Sequence, residues 1–342
     1  MKIKDQKQGL NTRLIINQQL KSQYGFSLLE VFIALTIGLV IFSGVLAVFV
    51  SVKTTTTETS SYGELQENGR FAINVLTDDL LRQDFWGDFI GSNLAGTIPA
   101  PNAPQGECIG GGINNGTFPM GEGQFRTLWG ETVGSASIMN GCRTDANLQS
   151  DILQLKRVIS SPLALVTGDI APAGNFYFMS NMDAGEIFAA GVVPNITNAR
   201  VWQYQHHIYY VRDEEQGSNT VPVLMQGQLS NTLSFAPIID GIEMIRFEYG
   251  IDTDMDPTDD GYGIVDAYIP TSQMTDALWD NTLTRIISVK IYVLARSIRA
   301  DNTYENNNIY NLAGFNYQVN DNFRRLLFSS TVTLFNATID EF

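Results

Sequence analysis

Gly25-Phe26-Ser27-Leu28-Leu29-Glu30 opens the stretch GFSLLEVFIALTIGLVIFSGVLAVFVSV, residues 25–52, in which Glu30 is the only ionisable side chain. As an α-helix, Phe26–Val52 would measure roughly 40 Å, enough to cross a hydrocarbon core of about 30 Å. The run is too long for the apolar core of a secretory signal. Upstream, Lys2, Lys4, Lys7, Arg13 and Lys21 stand against one acid, Asp5. The first 25 residues therefore carry +4 and the remainder −19, within a total of −15. Because the bases precede the span and only Lys53 follows closely, the N-terminus is expected in the cytoplasm and the rest beyond the inner membrane.

Glu30 is the anomaly in this span. A carboxylate inside a bilayer costs several kcal/mol unless it is paired. It can snorkel from the helix end to the interface. The alternative needs a cation, which the segment lacks. Cleavage after Gly25 would create one, the α-amino group of Phe26.

The composition of the whole chain excludes several classes. Of 342 residues, 44% are apolar and 17% charged, so the chain is neither disordered nor polytopic in a membrane. An excess of acids disfavours nucleic-acid binding, which needs clustered Lys and Arg. Two Cys are too few for a disulfide-dense scaffold or a four-cysteine zinc site, and two His leave little for histidine catalysis. There is no Gly-x-Ser-x-Gly, His-Glu-x-x-His or Walker loop, and the chain is read as not an enzyme.

The hexapeptide Gly25–Glu30, with its basic leader and unbroken apolar run, resembles the class III signal of type IV pilins and pseudopilins. The resemblance implies cleavage between Gly25 and Phe26 by a membrane prepilin peptidase and N-methylation of Phe26. It also implies that Glu30 pairs with the N-terminal amine of its own or a neighbouring subunit during filament assembly.

Beyond the span, Lys53–Gly63 is rich in Thr and Ser and reads as a weak helix or a polar tether. A helical stripe returns with Leu65, Phe71, Ala72, Val75, Leu76 and Leu80, with Asp78, Asp79 and Arg82 elsewhere on the wheel. This helix should end near Trp86-Gly87 and pack on a sheet. Gly69-Arg70-Phe71-Ala72 and Leu76-Thr77-Asp78-Asp79-Leu80-Leu81-Arg82 are similar to the post-membrane helix of PilW-like minor pilins, which also resemble J-type minor pseudopilins of type II secretion. Those relatives continue with Ala-Gly and Gly-Cys steps. This chain has Gln83-Asp84-Phe85-Trp86-Gly87-Asp88 instead, so disulfide positions do not carry over.

Residues 91–148 are rich in Gly, Asn and Pro and read as long loops. Gly110-Gly111-Gly112 is no phosphate loop, because no Lys-Ser/Thr follows. Cys108 and Cys142 lie here. In an oxidising compartment they are expected to pair, and two buried thiols are the alternative.

Strands are expected over Asp151–Ser160, Asn175–Met179, Ala199–Arg212, Val221–Met225, Ile242–Ile251, Arg285–Arg296 and Leu326–Phe335. Ile287, Val289, Ile291, Val293 and Ala295 share one face of the clearest of them, which implies a half-buried antiparallel sheet. Tyr249-Gly250-Ile251-Asp252-Thr253-Asp254, Trp279, Ile286 to Ser297 and Phe323 to Leu334 follow the order of the PilW-like family. The resemblance covers residues 25–86 and 240–336.

Asp252, Asp254, Asp256, Asp259 and Asp260 crowd one loop. Calcium favours such oxygen ligands, with Asp252, Asp254, Asp256 and Asp260 as the candidate set. A solvated acidic loop with Asx turns is the alternative, because Pro257 and Gly263 break an EF-hand pattern. His206 and His207, adjacent on a strand, face opposite ways and should be one packed and one exposed.

The expected fold is α+β and type IV pilin-like, a long N-terminal transmembrane or spine helix followed by a large antiparallel β-rich head. Residues 1–25 form the cytoplasmic leader and 26–52 the transmembrane and assembly helix. Residues 53–90 form the tether and amphipathic helix, and 91–342 the periplasmic head with its 91–148 insertion. The resemblance implies a minor pilin that primes type IV pilus assembly and twitching motility, at the filament tip. Its partners would be other minor pilins, the major pilin, prepilin peptidase, the inner membrane and the assembly platform, with no direct nucleic acid. A J-type pseudopilin and a tip adhesin with a calcium loop are the other two readings.

Overall fold

The computed structural model describes residues 25–90, 98–217, 219–254, 256–280 and 284–338. Apart from Gly25, the expected leader lies outside the described residues. One α-helix, α1 (Leu28–Leu80), runs through both the apolar span and the Thr-rich stretch that follows it. Ser27 caps it, since the Glu30 amide donates to Ser27 Oγ at 3.2 Å. Where a tether was expected, the hydroxyls of Thr54, Thr55 and Thr56 donate to the carbonyls of Val50, Ser51 and Val52 at 3.0, 3.0 and 2.8 Å. A hydroxyl bonded one turn back no longer competes for the backbone, so a poor helix former is tolerated. The helix stops at Leu80, short of Trp86, and the chain then turns through Asp84 and Gly87 at positive φ. Gly87 is obligatory there, because a Cβ would lie 2.6 Å from the Trp202 ring.

The chain divides into two units, one up to Thr57 and one from Glu58. In the first, every side chain from Gly25 to Thr56 is exposed. Among the described residues, α1 is the one helix long and apolar enough to cross a membrane.

The second unit is built on antiparallel strands. They are β1 (Leu128–Thr132), β2 (Asp151–Val158), β3 (Ile170–Ser180), β4 (Gly185–Val192), β5 (Arg200–Gln216), β6 (Asn219–Leu229), β7 (Leu233–Asp240), β8 (Ile242–Asp252), β9 (Ala267–Pro270), β10 (Arg285–Arg296), β11 (Ile309–Leu312), β12 (Phe315–Gln318) and β13 (Arg325–Thr333). A short helix, α2 (Asp276–Trp279), precedes β10. The larger sheet runs β1-β2-β5-β3-β4, with β6 also paired to β5 and β7 to β6. The smaller runs β13-β10-β8-β9, and β11 and β12 form a hairpin. The fold is therefore α+β, an apolar N-terminal helix followed by an antiparallel β-rich head.

β10 has the expected bounds, and its apolar alternation places Val289, Ile291, Val293 and Ala295 in the core at 0% exposure. β7 was not expected. It carries Pro237 and, among the described residues, pairs only with β6, and edge strands tolerate proline and a weak apolar pattern.

β5 lies inside its sheet and is covered on both faces. Both histidines are buried, correcting the expectation of one packed and one exposed. They do face opposite ways. His207 meets Asp79 of α1, while His206, with Lys156 and Tyr204, lies on the face covered by the 98–148 insertion. A central strand offers no solvated face to either ring.

Candidate assembly site

The N-terminal end of α1 presents an exposed apolar surface, with Phe26 80% exposed, and a single carboxylate in its first turn, Glu30. Among the described residues Glu30 has no cationic partner, and burying it against another apolar surface would require one. Gly25 and Phe26, the residues of the expected scissile bond, are both exposed.

From Glu58 onward α1 packs on the head. Leu65, Ala72, Leu76 and Leu80 of the expected stripe are buried, and Val75 packs beside them, whereas Phe71 is exposed. Gly69 touches β13 directly, since a Cβ there would lie 2.1 Å from the Phe328 ring. Arg324 anchors the start of this segment, pairing with Glu58 at 2.9 Å and Asp301 at 2.8 Å.

Asp79, expected off the packing stripe, is instead buried and is the polar centre of the docked helix. It accepts from Arg157 at 2.5 and 2.8 Å, from His207 Nδ1 at 2.6 Å and from the Tyr209 hydroxyl at 2.8 Å. Burial raises the cost of its charge, but the hydrogen bonds and charges of His207 and Arg157 outweigh this and hold its carboxyl well below the ordinary range. In sequence the one hint was the pair Lys156-Arg157 within β2, between the apolar Leu155 and Val158.

The insertion buries apolar side chains such as Phe125, Trp129 and Ile138 and, beside them, a polar cluster. Cys108 and Cys142 form a disulfide, with Cα atoms 5.2 Å apart. Arg126, 2% exposed, donates to Asp280 at 2.7 Å, Asp276 at 2.8 Å and the Gly111 carbonyl at 2.8 Å. The glycine triplet wraps these groups: Gly112 has φ +97°, and a Cβ there would lie 2.3 Å from the Arg126 guanidinium carbon. Lys156 is fully buried and donates to Asn115 Oδ1 at 2.7 Å and to the Arg126 carbonyl at 2.8 Å. Burial pushes both the Lys156 ammonium and the His206 imidazolium strongly toward their neutral forms.

In the acidic loop, Asp252, Asp254 and Asp266 bring carboxylate oxygens within 4.8 Å of one another. Of the expected calcium set, Asp256 and Asp260 are outside this group. Asp256 instead accepts from the Thr258 amide and hydroxyl at 2.9 and 2.7 Å, an Asx turn. Asp252 accepts from Arg285 at 2.7 Å and from the amides of Asp254 and Gly263, both at 2.9 Å. A calcium ion here would rely on Asp254 and Asp266, with Asp252 already shared with Arg285.

A half-open cleft of about 900 Å³ lies between the insertion, β1 and α2, lined by Glu131, Thr132, Asn140, Ser272 and Trp279 among others. Partial burial raises the Glu131 carboxyl above its ordinary pKa.

An exposed apolar helix with one first-turn carboxylate, joined to an antiparallel β-rich domain, defines a pilin-like architecture. Residues 208–336, from the middle of β5 to the end of β13 and just beyond, match the family model PilW, type IV pilus-assembly protein W. The match supports a type IV pilus-related family and a part in type IV pilus assembly. No curated protein and no solved structure matches the chain.

Proposed function

We propose that this chain is a minor pilin that joins other minor pilins to prime type IV pilus assembly, at the filament tip. The observation that carries the reading is the exposed Phe26–Val52 helix, with Glu30 as its single charge, in a chain whose C-terminal part matches a pilus-assembly family. Before assembly the helix sits in the inner membrane, with its N-terminus cytoplasmic and the head periplasmic. Prepilin peptidase cleaves after Gly25, and the new amine of Phe26 provides the cation that Glu30 lacks. In the filament the helix exchanges lipid for neighbouring apolar helices. Van der Waals packing between apolar helices gives weak register, whereas an ion pair in a low-dielectric bundle penalises misplacement strongly.

The test is deletion of the gene followed by complementation. The expected result is loss of surface pili and twitching, restored by the intact chain. Retained piliation with loss of protein secretion would contradict the proposal and favour the pseudopilin reading.

A further inference from the structure

Lys156 is an unusual residue for the middle of a β-strand. Its side chain is at 0% exposure, and no carboxylate lies within ion-pairing distance among the described residues. Its Nζ instead rests against the side-chain amide of Asn115, 2.7 Å from Oδ1, and 4.6 Å from the centre of the Phe125 ring. Asn115 is itself fully buried. Its Nδ2 donates to the Gly111 carbonyl at 2.9 Å, which turns the carbonyl oxygen toward the lysine. Gly110 leaves room for this amide, since a Cβ at 110 would lie 3.0 Å from Asn115 Cγ and 2.2 Å from Nδ2. Glu107 is an acid in electrostatic reach of Lys156. Its carboxylate accepts from the Thr117 amide at 2.6 Å and lies over Gly116, next in chain to Asn115.

A buried primary amine held against a buried carboxamide, with a carboxylate in electrostatic reach, is an arrangement for amide exchange. The geometry points to an intramolecular isopeptide bond between Lys156 and Asn115. The neutral amine is the required nucleophile, and desolvation favours that form of Lys156. The Nζ lone pair adds to Cγ of Asn115, and an Nζ–Cγ bond forms. A proton passes from Nζ to Nδ2, with the Glu107 carboxyl as carrier. The Cγ–Nδ2 bond breaks and ammonia leaves. No oxidant or co-reactant is consumed, and burial protects the product from hydrolysis. Fixed contact at this range supplies the proximity that an uncatalysed amide exchange lacks.

The bond would close a loop of separation 41, interleaved with the disulfide of separation 34. Together they would fasten the insertion to β2 covalently. Such a clamp suits a head that carries load through a filament.

The experiment is intact mass spectrometry of the full chain, purified in detergent and reduced, followed by tryptic peptide sequencing. The expected result is a mass about 17 Da, the mass of ammonia, below that of the sequence with its N-terminal processing taken into account. A branched peptide should join the Asn115 and Lys156 segments, with no cleavage after Lys156. A chain whose mass shows no ammonia loss, or an ammonia loss that leaves Lys156 in a linear peptide, overturns the proposal. Asn115→Asp should still form the bond, now with loss of water, while Asn115→Ala should stay at its sequence mass. Glu107→Gln is expected to fold, judged by an unchanged circular dichroism spectrum, and to remain largely unlinked. Full linkage in that variant overturns the proton-carrying role of Glu107. The wild-type measurement decides the main claim even where a substitution at Lys156 prevents folding.

Discussion

Asp151 shows how a single buried group sets the acid response of the head. It is at 0% exposure and accepts from the Thr132 and Thr271 hydroxyls, each at 2.6 Å, and from the Phe247 amide at 2.9 Å. Burial pushes its pKa up to about 6 from 3.8, against the opposing charge of Arg246 and these hydrogen bonds. The native state thus holds a proton that the unfolded chain has already lost between those two values. Stability from this group is full below pH 3.8 and is lost as pH rises through 6. In Asp151→Asn, the difference in unfolding free energy from wild type should therefore depend on pH. It should shift toward the variant by on the order of 3 kcal/mol between about pH 4 and pH 7. Denaturant unfolding of the purified chain across this range measures it, and a pH-independent difference would contradict the assignment. His206 acts in the opposite sense. Its depressed pKa costs stability as pH falls below the ordinary 6.5, so the two groups narrow the stable range from both sides.

The element on which the head depends is the second half of α1. Removing the carboxylate of Asp79 leaves Arg157 and the Tyr209 hydroxyl buried without their shared acceptor. Breaking a buried pair from one side typically costs about 3–5 kcal/mol. Asp79→Ala should lose an amount of that order in denaturant unfolding, and a loss below about 1 kcal/mol would mean that the cluster contributes little. This element also shows where the sequence is legible. Leu65, Ala72, Leu76 and Leu80 could be read because apolar burial repeats with the helical period. Likewise, β10 could be read because alternation survives wherever one face is buried. Asp79 could not, because a wheel assigns acids to solvent and cannot see Arg157 and His207 arriving from strands far along the chain. The insertion was opaque for the same reason. Beside its buried apolar side chains lie Asn115 and Arg126, with Lys156 of β2 against them, and the burial of these three follows from partners and not from hydrophobicity. The acidic loop could be read as a cluster but not as a ligand set, since Asp266 lies outside the sequence run and Arg285 meets Asp252 from β10.

At the scale of the whole molecule, two kinds of stabilisation coexist. The sheets, the docked helix and the insertion share one apolar core, and buried polar clusters around Asp79 and Arg126, with the disulfide, add specific links to it. Reduction of Cys108–Cys142 should lower stability by roughly 3–4 kcal/mol in the chain-entropy account, read as a lower melting temperature in reductant. An unchanged melting temperature would mean that other links already fix the insertion. The exposed apolar span belongs to another environment, and its one charge gives the account its central claim: that Glu30 pairs with the Phe26 amine as subunits assemble. The direct measurement is Glu30→Ala as the sole copy, with membrane fractionation, N-terminal sequencing and electron microscopy of surface pili. The account predicts normal insertion and cleavage after Gly25 with pili reduced roughly tenfold or more, as loss of about 1.4 kcal/mol or more of pairing energy requires. Wild-type numbers of pili from that variant would contradict it.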